Sequence, residues 1–298
     1  MTQPQPSEDL ILMPVDGSEM SEFAIPYAAE VAAALGAGTL ITRVVERTNW
    51  SAASSGYLIA PDTYSRVIEQ DERDAHAQTQ RITEQLMARG LRARALVEDA
   101  NSPVDLLGIA ARERASLVVM ATHARGGLSR ATLGSVADQF VRHGHCPTLL
   151  VRARGRRPER PALARALVPL DGSAMSELAA PVVMRLAGRI VRQVTLLRVV
   201  DPDERSGAAA EAQRSLDAVR ERIERDSELL RGNVETLLLW GMAAQQILEE
   251  STRHDLIVMA THGQTGATRW AFGSVADEVL QAARTPLLLT HSRLRVTP

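Results

Sequence analysis

Two segments of the chain have residue types and spacing suited to holding phosphate. Thr122-His123-Ala124 is followed by nine residues and then Gly134-Ser135-Val136, and Thr261-His262-Gly263 by nine residues and then Gly273-Ser274-Val275. Glycine admits positive φ and lets an anion approach the main chain, and a serine opening a helix adds a hydroxyl to the amide donors at the positive end of the dipole. Such a loop can cradle a polyphosphate without a cation. This matters because all 34 basic residues are arginine, which excludes the P-loop lysine, Schiff-base catalysis and SxxK acylation. A second reading stays open: Ser135 with Asp138, and Ser274 with Asp277, also match a helix-capping pair.

Asp16 and Asp171 stand in Pro-Val-Asp-Gly-Ser and Pro-Leu-Asp-Gly-Ser. Such a carboxylate can accept hydrogen bonds from a base or ribose, or it can simply build an Asp-Gly-Ser turn or cap. A phospho-acceptor role is disfavoured, since no second aspartate lies two residues on. His123 and His262 can touch phosphate or serve acid-base chemistry, with a structural loop role as the alternative. His143, His145 and Cys146 suggest a metal clip, but their spacing fits no zinc pattern and the other half of the chain has Ala282-Ala283-Arg284-Thr285-Pro286 instead. A packed connector is the expectation, and no metal site.

The elements that position these residues are written twice. Pro14 to Glu22 returns as Pro169 to Glu177 at an offset of 155, whereas Leu117 to His123 and Gly134 return at an offset of 139. The first copy therefore carries 16 extra residues, expected as a loop over 49–63, which is rich in Ser, Ala and Gly. Residues 152–161, charged and Pro-containing, read as the linker between domains spanning 8–152 and 163–292. Strands are expected at 10–15, 39–45, 91–97, 117–121 and 148–151, then at 166–170, 194–200, 234–239, 256–260 and 287–290. Helical patterns at 21–35, 64–89 and 204–231 lie between them. Alternation of this kind predicts an α/β fold, each copy a five-stranded parallel sheet with helices on both faces. Ligands of such sheets sit at the carboxyl ends of the strands, where strand order reverses.

Composition bounds the rest. The 298 residues allow two domains of ordinary size, and 45% hydrophobic with 23% charged residues excludes disorder. A net charge of -2 argues against nucleic acid as a partner. No apolar run approaches the roughly 18–20 residues needed to cross a bilayer, and the opening MTQPQPSEDL lacks a signal-peptide pattern. With one cysteine, no internal disulfide can form, and a cytoplasmic location is expected. Aromatics make up only 3%, too few for flavin or base stacking platforms.

Over nearly its whole length the chain resembles the universal stress protein family in its tandem two-domain form. The likeness rests on Pro-x-Asp-Gly-Ser after the first strand, the hydrophobic-Met-Ala-Thr-His segment and the spacing and Gly-Ser end of the Gly-x2-Gly-x9-Gly-Ser/Thr signature, each found twice, with departures at the first two signature glycines. The resemblance implies two flavodoxin- or Rossmann-like domains of strand order 3-2-1-4-5, paired through their fifth strands as an intrachain pseudo-dimer. It implies a stress-associated regulatory protein that binds an adenine nucleotide, ATP with or without Mg2+, and is not an enzyme. A slow ATPase and a structural interaction module with decayed sites are the alternatives. A homodimer and an unidentified protein partner are also compatible with the resemblance.

Carried over by position, the first site comprises Pro14, Val15, Asp16, Val44, Met120, Ala121, His123, Ala124, Gly134, Ser135 and Val136. The second comprises Pro169, Leu170, Asp171, Val199, Met259, Ala260, His262, Gly263, Gly273, Ser274 and Val275. Adenine and ribose are implied near the aspartate and the strand-two valine, the phosphates near the loop and Gly-Ser. The first signature glycine is alanine in both copies (Ala121, Ala260); the second is Ala124 in one and Gly263 in the other. Positive φ at Ala124 would cost roughly 1 kcal/mol, so the second site is expected to be the tighter.

Overall fold

A computed structural model describes residues 9–46, 61–100, 105–123, 133–203, 207–261 and 273–290. The first half contributes β1 (Leu10–Pro14), α1 (Ile25–Leu35), β2 (Gly38–Glu46), α2 (Pro61–Ala88), β3 (Ala93–Ala100), α3 (Asp105–Arg112), β4 (Leu117–His123), α4 (Ser135–His143) and β5 (Thr148–Ala153). The second contributes β6 (Arg165–Pro169), α5 (Ala179–Leu186), β7 (Gln193–Val200), α6 (Ala208–Asp226), β8 (Val234–Trp240), α7 (Ala243–Ser251), β9 (Leu256–Ala260), α8 (Ser274–Ala282) and β10 (Leu287–Thr290). Short 3-10 turns at Ser21–Ala24 and Ser176–Leu178 precede α1 and α5.

All ten strands form one sheet of order β3-β2-β1-β4-β5-β10-β9-β6-β7-β8. Each half is thus parallel with the expected order 3-2-1-4-5, and the halves meet through their fifth strands. That seam is antiparallel, with Leu287 opposite Leu150, Leu288 opposite Leu149 and Leu289 opposite Thr148. The strands read as nearly unbroken apolar runs because both faces are covered. Alternation along β1 sends Ile11 and Met13 to one core, under α1, α2, α5 and α6, and Leu12 to another, under α3, α4, α7 and α8. Both cores run through the two halves.

Two expectations shift. The segment 49–63 is not all loop, since α2 begins at Pro61. Helix α2 has 28 residues and α6 has 19, so nine of the surplus residues lengthen this helix. The linker begins later than residue 152, because Arg152 and Ala153 still pair with Thr122 and His123 in the sheet. A β-ladder tolerates arginine where its head can reach a partner.

Arginines also fasten the halves to each other. Arg185 pairs with Asp9 at 3.0 Å, Arg189 Nη1 donates to the Ala34 carbonyl at 2.7 Å, and Arg157 reaches Glu22 at 3.4 Å. Arg152 donates to the Leu280 carbonyl and, at 3.3 Å, to that of Gln281, so a first-half cation closes the negative end of α8. Replacing it (Arg152→Ala) is expected to lower the unfolding free energy by about 1–2 kcal/mol. Denaturant unfolding of the full chain measures this; an unchanged midpoint would contradict the contact's role.

Candidate functional site

In both halves the first strand stops at proline and the chain turns through Asp-Gly-Ser. Asp16 Oδ1 accepts hydrogen bonds from the Ser18 amide at 2.9 Å and its hydroxyl at 2.6 Å. Ser18 Oγ in turn accepts from the Ser21 amide at 3.1 Å, and Ser21 Oγ donates to the Ser18 carbonyl at 2.8 Å. Asp171, Ser173 and Ser176 repeat the motif at 2.9, 2.6, 3.1 and 2.8 Å. The turn reading of these aspartates is therefore correct as far as Oδ1 goes. Gly17 and Gly172 supply the φ of +89° and +78° that the turn requires.

Register sets these turns beside the other site segments. β1 lies between β2 and β4, and β6 between β7 and β9, so chain direction across the sheet reverses at β1/β4 and β6/β9. At the second of these points a cleft with about 660 Å³ of empty space, its mouth included, opens at the strand ends. Of the implied second-site residues, Pro169, Leu170, Asp171, Val199, Met259, Ala260, Gly273, Ser274 and Val275 all line it. His262 and Gly263 lie outside the described residues. Sequence reasoning missed Ser176, Leu197, Ala243, Ile247 and Ala276, which also line it. Ser176 sits inside the repeated Asp-Gly-Ser-x-Met-Ser and was legible from the repeat; Ala243 and Ile247, one turn apart on α7, carry no motif.

In the first half, Pro14, Val15 and Asp16 end β1, Val44 lies on β2, and Met120, Ala121 and His123 lie on β4. Gly134 caps α4, and Ser135 and Val136 are its first residues. Ala124 lies outside the described residues.

The starts of α4 and α8 bear on the capping reading. The cap residue is Gly134 or Gly273, neither makes a side-chain cap bond, and each serine is already the first helical residue. The capping pair is not formed: Asp138 turns to Arg142 at 2.8 Å, and Asp277 accepts from Gln281 at 2.8 Å. The first intrahelical amide bond of α8 is Asp277 to the Gly273 carbonyl at 2.9 Å, so the amides of Ser274, Val275 and Ala276 lack intrahelical acceptors. Gly134 and Gly273 have φ of -55° and -63°, so positive φ is not their role. What Gly273 provides is the absence of a side chain where the start of α8 borders the cleft.

Cys146 is buried, and burial pushes its thiol up to about 12, far from a ready thiolate. Among the described residues no three His, Cys, Asp or Glu side chains group as metal ligands, and no helix is long and apolar enough to cross a membrane.

With this geometry in place, comparison with known proteins is decisive. The model of the Universal stress protein family matches twice, over residues 9–152 and 163–291. The chain belongs to the universal stress protein family. A universal stress protein of Mycobacterium tuberculosis is 28% identical over 293 residues, covering 94% of this chain and 96% of the relative. Another from the same organism is 30% identical over 188 residues, 60% of this chain and 63% of that one. The crystal structure of a universal stress protein from Archaeoglobus fulgidus shares the fold with a TM-score of 0.72 at 17% identity, covering 96% of this chain and 99% of that one.

The Asp16 turn has a pH signature. Partial burial opposes the charge, yet the bonds from Ser18 and Ser21 outweigh it and hold the carboxyl below its ordinary 3.8. Its stabilising contribution is therefore complete above that value and is lost as pH falls through the lower folded one. Since Asp16 is more than a third exposed, solvent screening keeps the effect small. Ser18→Ala is expected to cost about 0.5–1 kcal/mol at neutral pH, with the difference from wild type narrowing in acid. Urea unfolding at both pH values checks this; equal loss at both would contradict it.

Proposed function

We propose that this universal stress protein binds an adenine nucleotide, ATP with or without Mg2+, in a cleft of each half and acts by binding rather than by turnover. One observation carries the reading: the Asp171 turn, the apolar walls Val199, Ile247 and Met259, and the open start of α8 all face one space in the second half. The apolar side chains of Val199, Ile247 and Met259 that line the cleft suit a base. Asp171 suits a hydroxyl of the sugar, and the amides from Ser274 to Ala276 suit phosphate oxygens. The first half repeats the turn and the helix start with the same bond lengths, which supports a second cleft of the same kind. Its Ala124 in place of Gly263 makes it the weaker of the two.

A nucleotide held beside the starts of α4 and α8 alters the surface offered to a partner protein, a regulatory role in the cytoplasm. Among the described lining residues of the second cleft Asp171 is the one carboxylate, which supports binding over turnover.

Glycine-to-valine changes separate the two clefts. The backbone at both caps suits valine, whose side chain would occupy the approach to the amides. In equilibrium titration of the full chain with ATP, Gly273→Val is expected to remove the tighter class of sites and Gly134→Val the weaker. Phosphate release should stay at background with and without Mg2+. Unchanged titrations in both variants would defeat the proposal, and release that saturates with ATP would defeat the non-catalytic part.

A further inference from the structure

The sheet ends at β3 on one side and at β8 on the other, and the repeat lets these edges be compared residue by residue. Val44 lies opposite Glu98 and Val45 opposite Asp99; at the offset of 155, Val199 lies opposite Leu239 and Val200 opposite Trp240. By the same register Leu40 faces Arg94, and Thr195 faces Glu235. Arg94, Glu98 and Asp99 of one edge are therefore Glu235, Leu239 and Trp240 of the other.

The β3 edge is guarded by charge. Arg94 pairs with Glu113 at 2.6 Å, and Arg112 pairs with Glu98 and, at 3.1 Å, with Glu113. The second half has no counterpart of this network. Ser116 and Asp255 occupy equivalent places, since their amides bond to the Leu10 and Arg165 carbonyls; counted back from them, Glu113 becomes Thr252 and Arg112 becomes Ser251. Strand β8 reads Val-Glu-Thr-Leu-Leu-Leu-Trp. Leu237, Leu238 and Leu239 are only partly buried, Trp240 is 55% exposed, and Met242 just beyond is 71% exposed. On its outer side β8 pairs with no described strand. An apolar edge with a single charge is a template for another strand.

The molecule itself shows which strand fits. β5 and β10 are equivalent edges of the two halves, and they pair antiparallel with Leu149 opposite Leu288, its own counterpart at the offset of 139. The chain already joins two like, leucine-rich edges about a two-fold point. Strand β8 is a further edge of that kind. Turned about a two-fold through Leu237, two β8 strands set Val234 opposite Trp240, Glu235 opposite Leu239 and Thr236 opposite Leu238, so the whole strand is paired. Apolar side chains then meet across the join on both faces of the sheet. A β8 to β3 contact would set the apolar edge against the charged one and, repeated, would not close.

We propose that β8 is a self-association edge: two copies of the chain pair antiparallel through β8, Leu237 against Leu237, and their ten-stranded sheets become one. The partner is a second copy of this chain, and no residue of the nucleotide sites takes part.

Sedimentation velocity of the full chain over a dilution series tests this. Wild type should run as a dimer that dissociates on dilution. Leu239→Glu combined with Trp240→Asp, which writes the first-half edge into β8, should be monomeric throughout. Glu235→Leu should hold the dimer to greater dilution. Glu98→Leu combined with Asp99→Trp should turn β3 into a second pairing edge and give assemblies larger than a dimer. A wild type that is monomeric at every concentration would overturn the proposal and leave β8 to a strand of another protein. A dimer that survives Leu239→Glu with Trp240→Asp would overturn it by placing the contact elsewhere. Should that variant fail to fold, Leu237→Cys decides: facing residues of antiparallel strands lie within disulfide reach, so mild oxidation should link two copies, and a chain that stays unlinked would contradict the pairing.

Discussion

The proposed site depends on main-chain amides that have no acceptor within their own helix. A helix always begins with such amides, and most proteins close them with a side chain. Here both α4 and α8 begin at a glycine with no capping bond, at the end of the sheet where strand order reverses. In a chain without lysine, anions must be met by amides, hydroxyls and arginine. The sheet topology, the two Asp-Gly-Ser turns and the apolar cleft walls gain functional meaning from that open helix start.

The continuous sheet binds the two halves into one mechanical unit. The antiparallel β5–β10 seam carries both cores across the middle of the molecule, and arginines tie one half to the other at several points. Arg152 connects the seam to the carboxyl end of α8, the helix whose amino end borders the second cleft. A ligand drawn to one end of α8 therefore acts on a helix whose other end is held by the opposite half. For the binding proposed above, this contact is a physical link between the second cleft and the first half.

The sequence made the strands legible because each is a nearly continuous apolar run and each occurs twice; the strand positions, their order and the fifth-strand pairing all agree with the structure. The repeat also pointed to Asp16, Asp171 and the Gly-Ser pairs. It was less informative where the two copies differ. Residues 61–63 looked like loop because Pro61 and its small neighbours punctuate the chain, yet proline is well suited to a first helical turn. Ser135 and Ser274 looked like caps because their spacing to an aspartate is right, but side chains four residues on captured those aspartates. Ala243 and Ile247 were silent because nothing distinguishes a cleft wall from any other buried helix face.

The most direct measurement is the amide spectrum of the α8 start in the isotopically labelled full chain, titrated with ATP and, separately, with adenosine. The account predicts that the amide resonances of Ser274, Val275 and Ala276 move strongly with ATP and hardly with adenosine, while Val199 responds to both. Amides at the α8 start that are indifferent to ATP, or that respond equally to adenosine, would contradict it.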